Sequence, residues 1–363
     1  MARRLESDRV LFATVVVLVL FGIIMVFSAS AVIAADQFHS GYYFVVRQTI
    51  YAALGLGIML VMMNVDYRRL KSPLLIFPAL GLQLLLLLGV LFVKAEHDTH
   101  RWIRLGPVSF QPSELAKIVL VIFLAYFLEL RKDSINAWRQ TLLPIGLVAG
   151  LDGVLILREP DFGTTLAIAV MVGAMLFAAG LEVSYFVCAG LAALPVLYLL
   201  IFHVGYRYRR IMAFLHPYSD PLGAGFQIIQ SYIAVGTGGI TGAGLMEGKE
   251  KLFYLPEPQT DFIFAVIGEE LGLIGALLVI ALFGVILWRG LRAAARCQND
   301  FGRLLAIGLT SLVVIQALVN ISVVVGLLPT KGVPLPFVSY GGSSLLMSLF
   351  AMGILLNISQ NTS

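Results

Sequence analysis

Charge is scarce in this sequence: 25 Lys and Arg with 21 Asp and Glu make up 13% of 363 residues, against 59% hydrophobic. A soluble domain carries about twice that charged share, so a water-soluble fold is excluded. Cysteine is scarcer still. The only two, Cys188 in an apolar run and Cys297 in an Arg-rich one, lie on separate segments without metal-ligand spacing, which argues against a disulfide framework or redox chemistry. Short alternating strands are missing, and with them the pattern of a transmembrane barrel. No convincing small-residue cleavage site follows the first apolar run, Val10 to Val32, which is expected to stay in place as a signal anchor. The net charge of +4 reflects topology, and nucleic acid is not an expected partner.

What remains is hydrocarbon-compatible chain, with a mean hydropathy of +0.93. Ten apolar runs are candidate spans: 10–33, 44–65, 73–93, 113–130, 140–157, 162–180, 184–203, 262–288, 303–328 and 337–358. Each is long enough to cross a bilayer as a helix, which satisfies its own backbone. An N-terminus in the cytoplasm leaves 13 Lys and Arg in the short inner segments and 6 in the outer ones, in line with the positive-inside rule. The expectation is one all-α, polytopic membrane domain over 1–363. It has about ten transmembrane helices, both termini in the cytoplasm and a large extracytoplasmic loop between the seventh and eighth spans.

The unusual chemistry then falls on the outer side. LPEPQTDFIFAVIGEELG (255–272) sets Asp261 where a polar loop meets an apolar helix that also carries Glu269 and Glu270. Two readings stand side by side there: a helix N-cap stabilised by backbone N–H groups, and a functional carboxylate at a position costly for charge.

Upstream, Lys94 to Pro112 holds His97, Asp98, His100, Arg101, Trp102 and Arg104. The two histidines alone make weak metal ligands. Ser113 is placed to cap the fourth span; Glu114 and Lys117 share a helix face, either as a self-neutralising pair or as a charged wall on a polar cavity. Asp161 in the Arg158–Thr164 turn can cap the next helix. Asp152, halfway along span five, needs a partner such as Lys117 or a wet cavity.

In the long loop, Tyr206 to Arg210 form a basic, aromatic cluster suited to interfacial anchoring or to lipid phosphates. Isoleucines 228, 229 and 233 suggest a short helix lying on the outer membrane surface. The Pro- and Gly-rich run 328–344 implies irregular backbone covered by protein or a cavity, with Gly341 to Ser344 serving close packing.

FQPSELAK (110–117), SDPLGAGFQIIQS (219–231), TDFIFAVIGEELG (260–272) and LPTKGVPLPFVSYGGSS (328–344), in that order and spacing, resemble the SEDS family of bacterial membrane proteins. QALVN (316–320) and LPTKG are more similar to its division branch, FtsW, than to its elongation branch, RodA; Gln259 departs from the pattern, in which His is common. The resemblance spans nearly the whole chain. It implies a ten-helix glycosyltransferase in the bacterial cytoplasmic membrane that polymerises lipid II on an undecaprenyl-diphosphate-linked strand, with a class B penicillin-binding protein as partner. It also implies that Asp261 is the essential carboxylate, with Arg101, Glu114, Lys117 and Asp161 around the same outer cavity. Arg207, Arg209 and Arg210 join Lys117 and Arg101 as candidates to stabilise the leaving diphosphate, alone or with Mg²⁺ or Mn²⁺. The competing function is a lipid II flippase, which would place polar groups near the midplane, where only Asp152 sits.

Overall fold

The computed structural model describes residues 7–93, 101–105, 108–202, 205–252 and 254–360, so Lys94, His97, Asp98 and His100 lie outside the described residues. The chain folds as α1 (Arg9–Phe38), α2 (Tyr43–Asn64), α3 (Pro73–Val90), a hairpin of β1 (Ile103–Leu105) and β2 (Val108–Phe110), α4 (Pro112–Leu130), α5 (Leu143–Arg158), α6 (Phe162–Ala178), α7 (Val183–Phe202), α8 (Gly205–Leu215), α9 (Phe226–Gly238), α10 (Ile263–Arg296), α11 (Asp300–Val324) and α12 (Gly342–Gln360). A helix stands at each of the ten expected spans, and α8 and α9 lie in the long loop. Among the described residues, seven segments have the length and hydropathy to cross a membrane: α1, α2, α3, α5 with the turn before it, α10, α11 and α12. Of the others, α4 carries Glu114, Lys117 and Glu129, and α6 has 17 residues.

The most buried elements are α12 and α11, with 83% and 72% of their apolar windows inside the protein. α2 lies along α12, and α10 forms a hairpin with α11. At the end carrying Asp8, that residue caps α1 by accepting from the Val10 and Leu11 amides, and it pairs with Arg289 Nε of α10 at 2.6 Å.

α10 is two helices in series. At Gly272 φ is +63° and ψ −161°, and a Cβ there would stand 2.4 Å from the Gly242 nitrogen, so only glycine fits. The half-helix before this kink is held at its far end by Glu269 and Glu270. Glu269 accepts from the Lys249 amide at 2.6 Å; Glu270 accepts from Ser28 Oγ at 2.6 Å, from the Met246 amide at 3.1 Å and from Lys251 Nζ at 2.5 Å.

Three expectations need correction, and the open partner of Asp152 is found. The last helix starts at Gly342 rather than 337, because residues 326–341 keep an irregular backbone packed on Val333, Leu335, Phe337 and Val338, all buried. Ser113 is not the cap of α4. Pro112 occupies its first turn after Gln111, and Ser113 Oγ accepts from Gln111 Nε2 at 2.9 Å instead. The partner of Asp152 is Gln83 of α3, whose Nε2 reaches both carboxylate oxygens at 3.1 and 3.0 Å; Lys117 is engaged elsewhere. α9 packs on protein rather than lying on a membrane face. Ile228, Ser231, Ala234 and Gly238 are buried, Ser231 Oγ donates to the Val324 carbonyl at 2.8 Å, and the exposed isoleucine is Ile233.

Candidate active site

Two irregular segments, 256–262 and 326–341, meet above the end of α11 and are stitched together there by side chains. Asn320 Nδ2 donates to the carbonyls of Asp261 and Val333, each at 2.8 Å. Ser339 Oγ donates to the Thr260 carbonyl at 2.6 Å, and the Tyr340 amide to that of Gln259 at 2.8 Å. One turn below Asn320, Gln316 Nε2 donates to the Pro334 carbonyl at 3.1 Å while its Oε1 accepts from Lys117 Nζ at 2.8 Å. Backbone groups freed by Pro and Gly are thus taken up by amides spaced four apart on one helix face. Sequence reading used QALVN only as a likeness, although that spacing in an apolar helix was its visible signal.

These bonds hold Asp261 at the wall of a cavity of about 240 Å³, which Arg101, Trp102, Glu114, Lys117, Gln316 and Gly332 also line. Asp261 caps nothing: the N-cap position of α10 belongs to Phe262, which makes no side-chain cap, so the capping reading falls away. Among the described residues no donor is hydrogen-bonded to its half-buried carboxylate. Burial, reinforced by the Glu257 charge and opposed by Arg101, raises its pKa to about 7. Gly332 keeps the acid and a guanidinium close, since a Cβ there would stand 2.9 Å from Asp261 Oδ2 and 3.8 Å from Arg101 Nη1. Arg101 is itself positioned by Nε donating to the Glu159 carbonyl at 2.9 Å and Nη2 to the Pro160 carbonyl at 2.5 Å. Glu114 and Lys117 satisfy both readings of that pair: they form a buried ion pair at 2.9 Å and they line the cavity.

Arg101 and Gly332 are also the wall of a second, smaller cavity of about 60 Å³, lined by Asp161, Arg207, Arg210 and Lys331. Asp161 caps α6, accepting from the Thr164 amide at 3.0 Å and from Thr164 Oγ1 at 2.8 Å. Lys331, which sequence reading did not place in the site, has Nζ 4.3 Å from the centre of the Phe162 ring. Burial lowers its pKa to about 8, with Asp161 acting against that shift. Arg209 lines a neighbouring cavity with Asp220, which shares Arg210 and Thr330 with this one. Glu159, at the end of α5, is wholly buried with both carboxylate oxygens unpartnered; burial and then the Asp161 charge raise its pKa to about 9. It stays protonated at neutral pH, so it adds no negative charge beside Arg101.

The arrangement is therefore a base-competent carboxylate beside a chamber of cations. Among the described residues no group of three or more His, Cys, Asp or Glu side chains is placed to hold a metal ion.

Similarity to known proteins runs the length of the chain. Over 359 residues, 97% of this chain and 95% of the relative, it is 48% identical to the probable peptidoglycan glycosyltransferase FtsW of Geobacter sulfurreducens. It is 43% identical over 365 residues to stage V sporulation protein E of Bacillus subtilis, covering 99% and 98% of the two chains. Among solved structures, a chain of a peptidoglycan synthase complex that coordinates polymerization and crosslinking superposes with a TM-score of 0.80 at 32% identity, covering 98% of each chain. The rod shape determining protein RodA of Thermus thermophilus superposes with a TM-score of 0.73 at 28% identity, over 99% and 98% of the two chains. With residues 8–363 also matching the FtsW/RodA/SpoVE family of cell cycle proteins, this multi-pass membrane protein belongs to that family.

Proposed function

We propose that this chain is a peptidoglycan glycosyltransferase of cell division that polymerises lipid II at the outer face of the bacterial cytoplasmic membrane, with Asp261 as general base. The observation that carries the chemistry is the Asp261 carboxylate: it meets no hydrogen-bond donor from the described residues, opens on a cavity, and adjoins the Arg101, Arg207, Arg210 and Lys331 chamber. A carboxyl poised near 7 is matched to taking a proton from the acceptor sugar 4-hydroxyl as that oxygen attacks the anomeric carbon of the lipid-linked strand. One carboxylate acting as base, with attack opposite the diphosphate, inverts the donor and forms no sugar–enzyme bond.

The departing diphosphate gains negative charge in the transition state. Arg101, Arg207, Arg210 and Lys331 face it from fixed backbone, and cations already in place need no reorganisation as the bond breaks. Glu114 and Lys117 support the acceptor side, where Lys117 remains a donor to whatever displaces water from the larger cavity. Among the described residues no cluster of metal-ligating side chains is placed for a resident ion, so Mg²⁺ or Mn²⁺ would enter with the diphosphate, and the steps above use the chain's own cations. By its resemblance the partner is a class B penicillin-binding transpeptidase, which would cross-link the product strand.

Purified protein in lipid vesicles with lipid II should make glycan polymer, and Asp261→Asn should fold and lose about 10³-fold of that activity. Lipid II crossing the bilayer without polymer would instead support transport. Against that reading, Asp152, its only midplane acid, is buried against Gln83 rather than set on a path.

A further inference from the structure

A further cavity, of about 310 Å³, lies behind the turn that carries Asp261. Glu257, Thr260 and Tyr340 line both this space and the catalytic cavity, so the two are separated by a single layer of side chains. Its remaining walls include Gln37 at the end of α1, Phe44 of α2, and Gln259. The lining is chemically unlike that of the diphosphate chamber: no Lys or Arg is among the residues that line it. It has two aromatic rings, Phe44 and Tyr340, meeting edge to face at 5.0 Å. It also has a polar group awaiting a donor. Gln259 is 6% exposed, its Nε2 donates to Glu257 Oε2 at 3.1 Å, and its Oε1 has no partner.

We infer that this cavity is a saccharide subsite, which holds uncharged sugar units of the glycan one or more residues away from the reacting carbon. The inference rests on the glycosyltransferase reading above and extends it to how the strand is retained. A diphosphate would find no Lys or Arg among the described residues that line it; Arg47 acts on Tyr340 but is not itself in the lining. A hydrocarbon tail would bury Gln259 Oε1 without a donor and leave the Glu257 carboxylate with only its bond from Gln259 Nε2, a costly outcome for each group. An N-acetylated pyranose meets both demands. Its hydroxyl and amide N–H groups donate to Gln259 and Glu257, while the C–H face of its ring lies on Phe44 or Tyr340, as concave sites with a few convergent polar groups favour. A strand held here stays beside Asp261 between transfers, so the subsite governs how many units are added before release.

Gln37 is solvent-exposed, so Gln37→Ala and Gln37→Trp test the cavity without threatening the fold; Phe44→Ala removes an aromatic wall. With full-length protein in vesicles and lipid II as substrate, the ratio of product length to first-coupling rate should fall about fivefold to tenfold for Gln37→Trp and Phe44→Ala, the loss of a single good contact. Unchanged product length in all three variants overturns the subsite. So does a raised KM for lipid II with length unchanged, which would assign the cavity to lipid. Binding is measured separately on the Asp261→Asn protein, with a lipid-free tetrasaccharide of alternating N-acetylglucosamine and N-acetylmuramic acid as probe. Saturation-transfer NMR should detect it, Gln37→Trp should abolish the signal, and sodium diphosphate should not compete. No signal sinks the inference whatever the enzyme assay returns. A signal beside an inactive wild-type chain would instead leave the subsite standing and the reaction assignment failed.

Discussion

Two acidic features sit at opposite ends of one half-helix of α10, and they could hardly be treated more differently. Glu269 and Glu270 are buried and supplied with donors: the Lys249, Glu250 and Met246 amides, the Ser28 hydroxyl and the Lys251 ammonium. Asp261, two residues before the helix starts, accepts from none of the described residues and faces a cavity of about 240 Å³. Paired carboxylates of the first kind hold a loop against a helix; a buried charge costs several kcal/mol unless it is satisfied, so every donor there is structural. An acid left without donors at a cavity wall spends stability and keeps its lone pairs for substrate. Sequence reading flagged all three acids, but only the donors around them separate scaffold from site.

The sharpest break of this contrast is Asp261→Asn. Polymerisation should fall about 10³-fold, within the range lost with a general base. The thermal midpoint should rise at the same time. A carboxyl raised to about 7 binds its proton more tightly folded than unfolded, so its contribution to stability is lost as pH climbs from about 4 to about 7. The amide carries no charge to lose. A lowered midpoint with most activity retained would assign Asp261 to the scaffold.

Next in size is Lys331→Met, expected to cut kcat/KM about 10²-fold, as removal of one fixed transition-state charge does elsewhere. Steady-state kinetics on lipid II decide it, and an effect confined to KM would make Lys331 a ground-state anchor instead. The wild-type rate itself should drop about tenfold per pH unit below about 7, because the base fills with a proton. A flat profile from pH 5 to 8 would detach the chemistry from this carboxyl.

At the structural end, Glu270→Leu strands Lys251 and should destabilise the fold by about 3–5 kcal/mol, whereas Glu270→Leu with Lys251→Met should recover most of it. Thermal melts of single and double variants give that coupling directly. The smallest effect belongs to Asp152→Asn. Gln83 can hydrogen-bond an amide as well as a carboxylate, so polymerisation should stay within about twofold of wild type. A large loss there would revive the transport reading.

Much of this was legible before any coordinates. The ten helical segments, the Asp161 cap, the covered Pro- and Gly-rich run and the presence of Arg101, Glu114, Lys117 and Asp261 on one cavity all followed from hydropathy, local chemistry and the family likeness. Lys331, Glu159, Gln316 and Asn320 did not. The groups that place Gln316 and Asn320 in the site lie far from them in sequence: Lys117 is 199 residues from Gln316, and Asn320 is 59 from Asp261. The need of Asp152 for a partner was legible but its identity was not, for the same reason, since Gln83 is 69 residues away on another helix.

The sequence by itself determined the membrane class and the helical segments, because hydrocarbon admits only backbone that satisfies itself, a condition each apolar run meets locally. It also placed the charged residues at helix ends and turns, where their cost is lowest. Only the tertiary structure decided which carboxylates are satisfied and which is left open. Hydrogen bonds and desolvation depend on what stands within about 3–4 Å, and that is set by packing between helices distant in the chain.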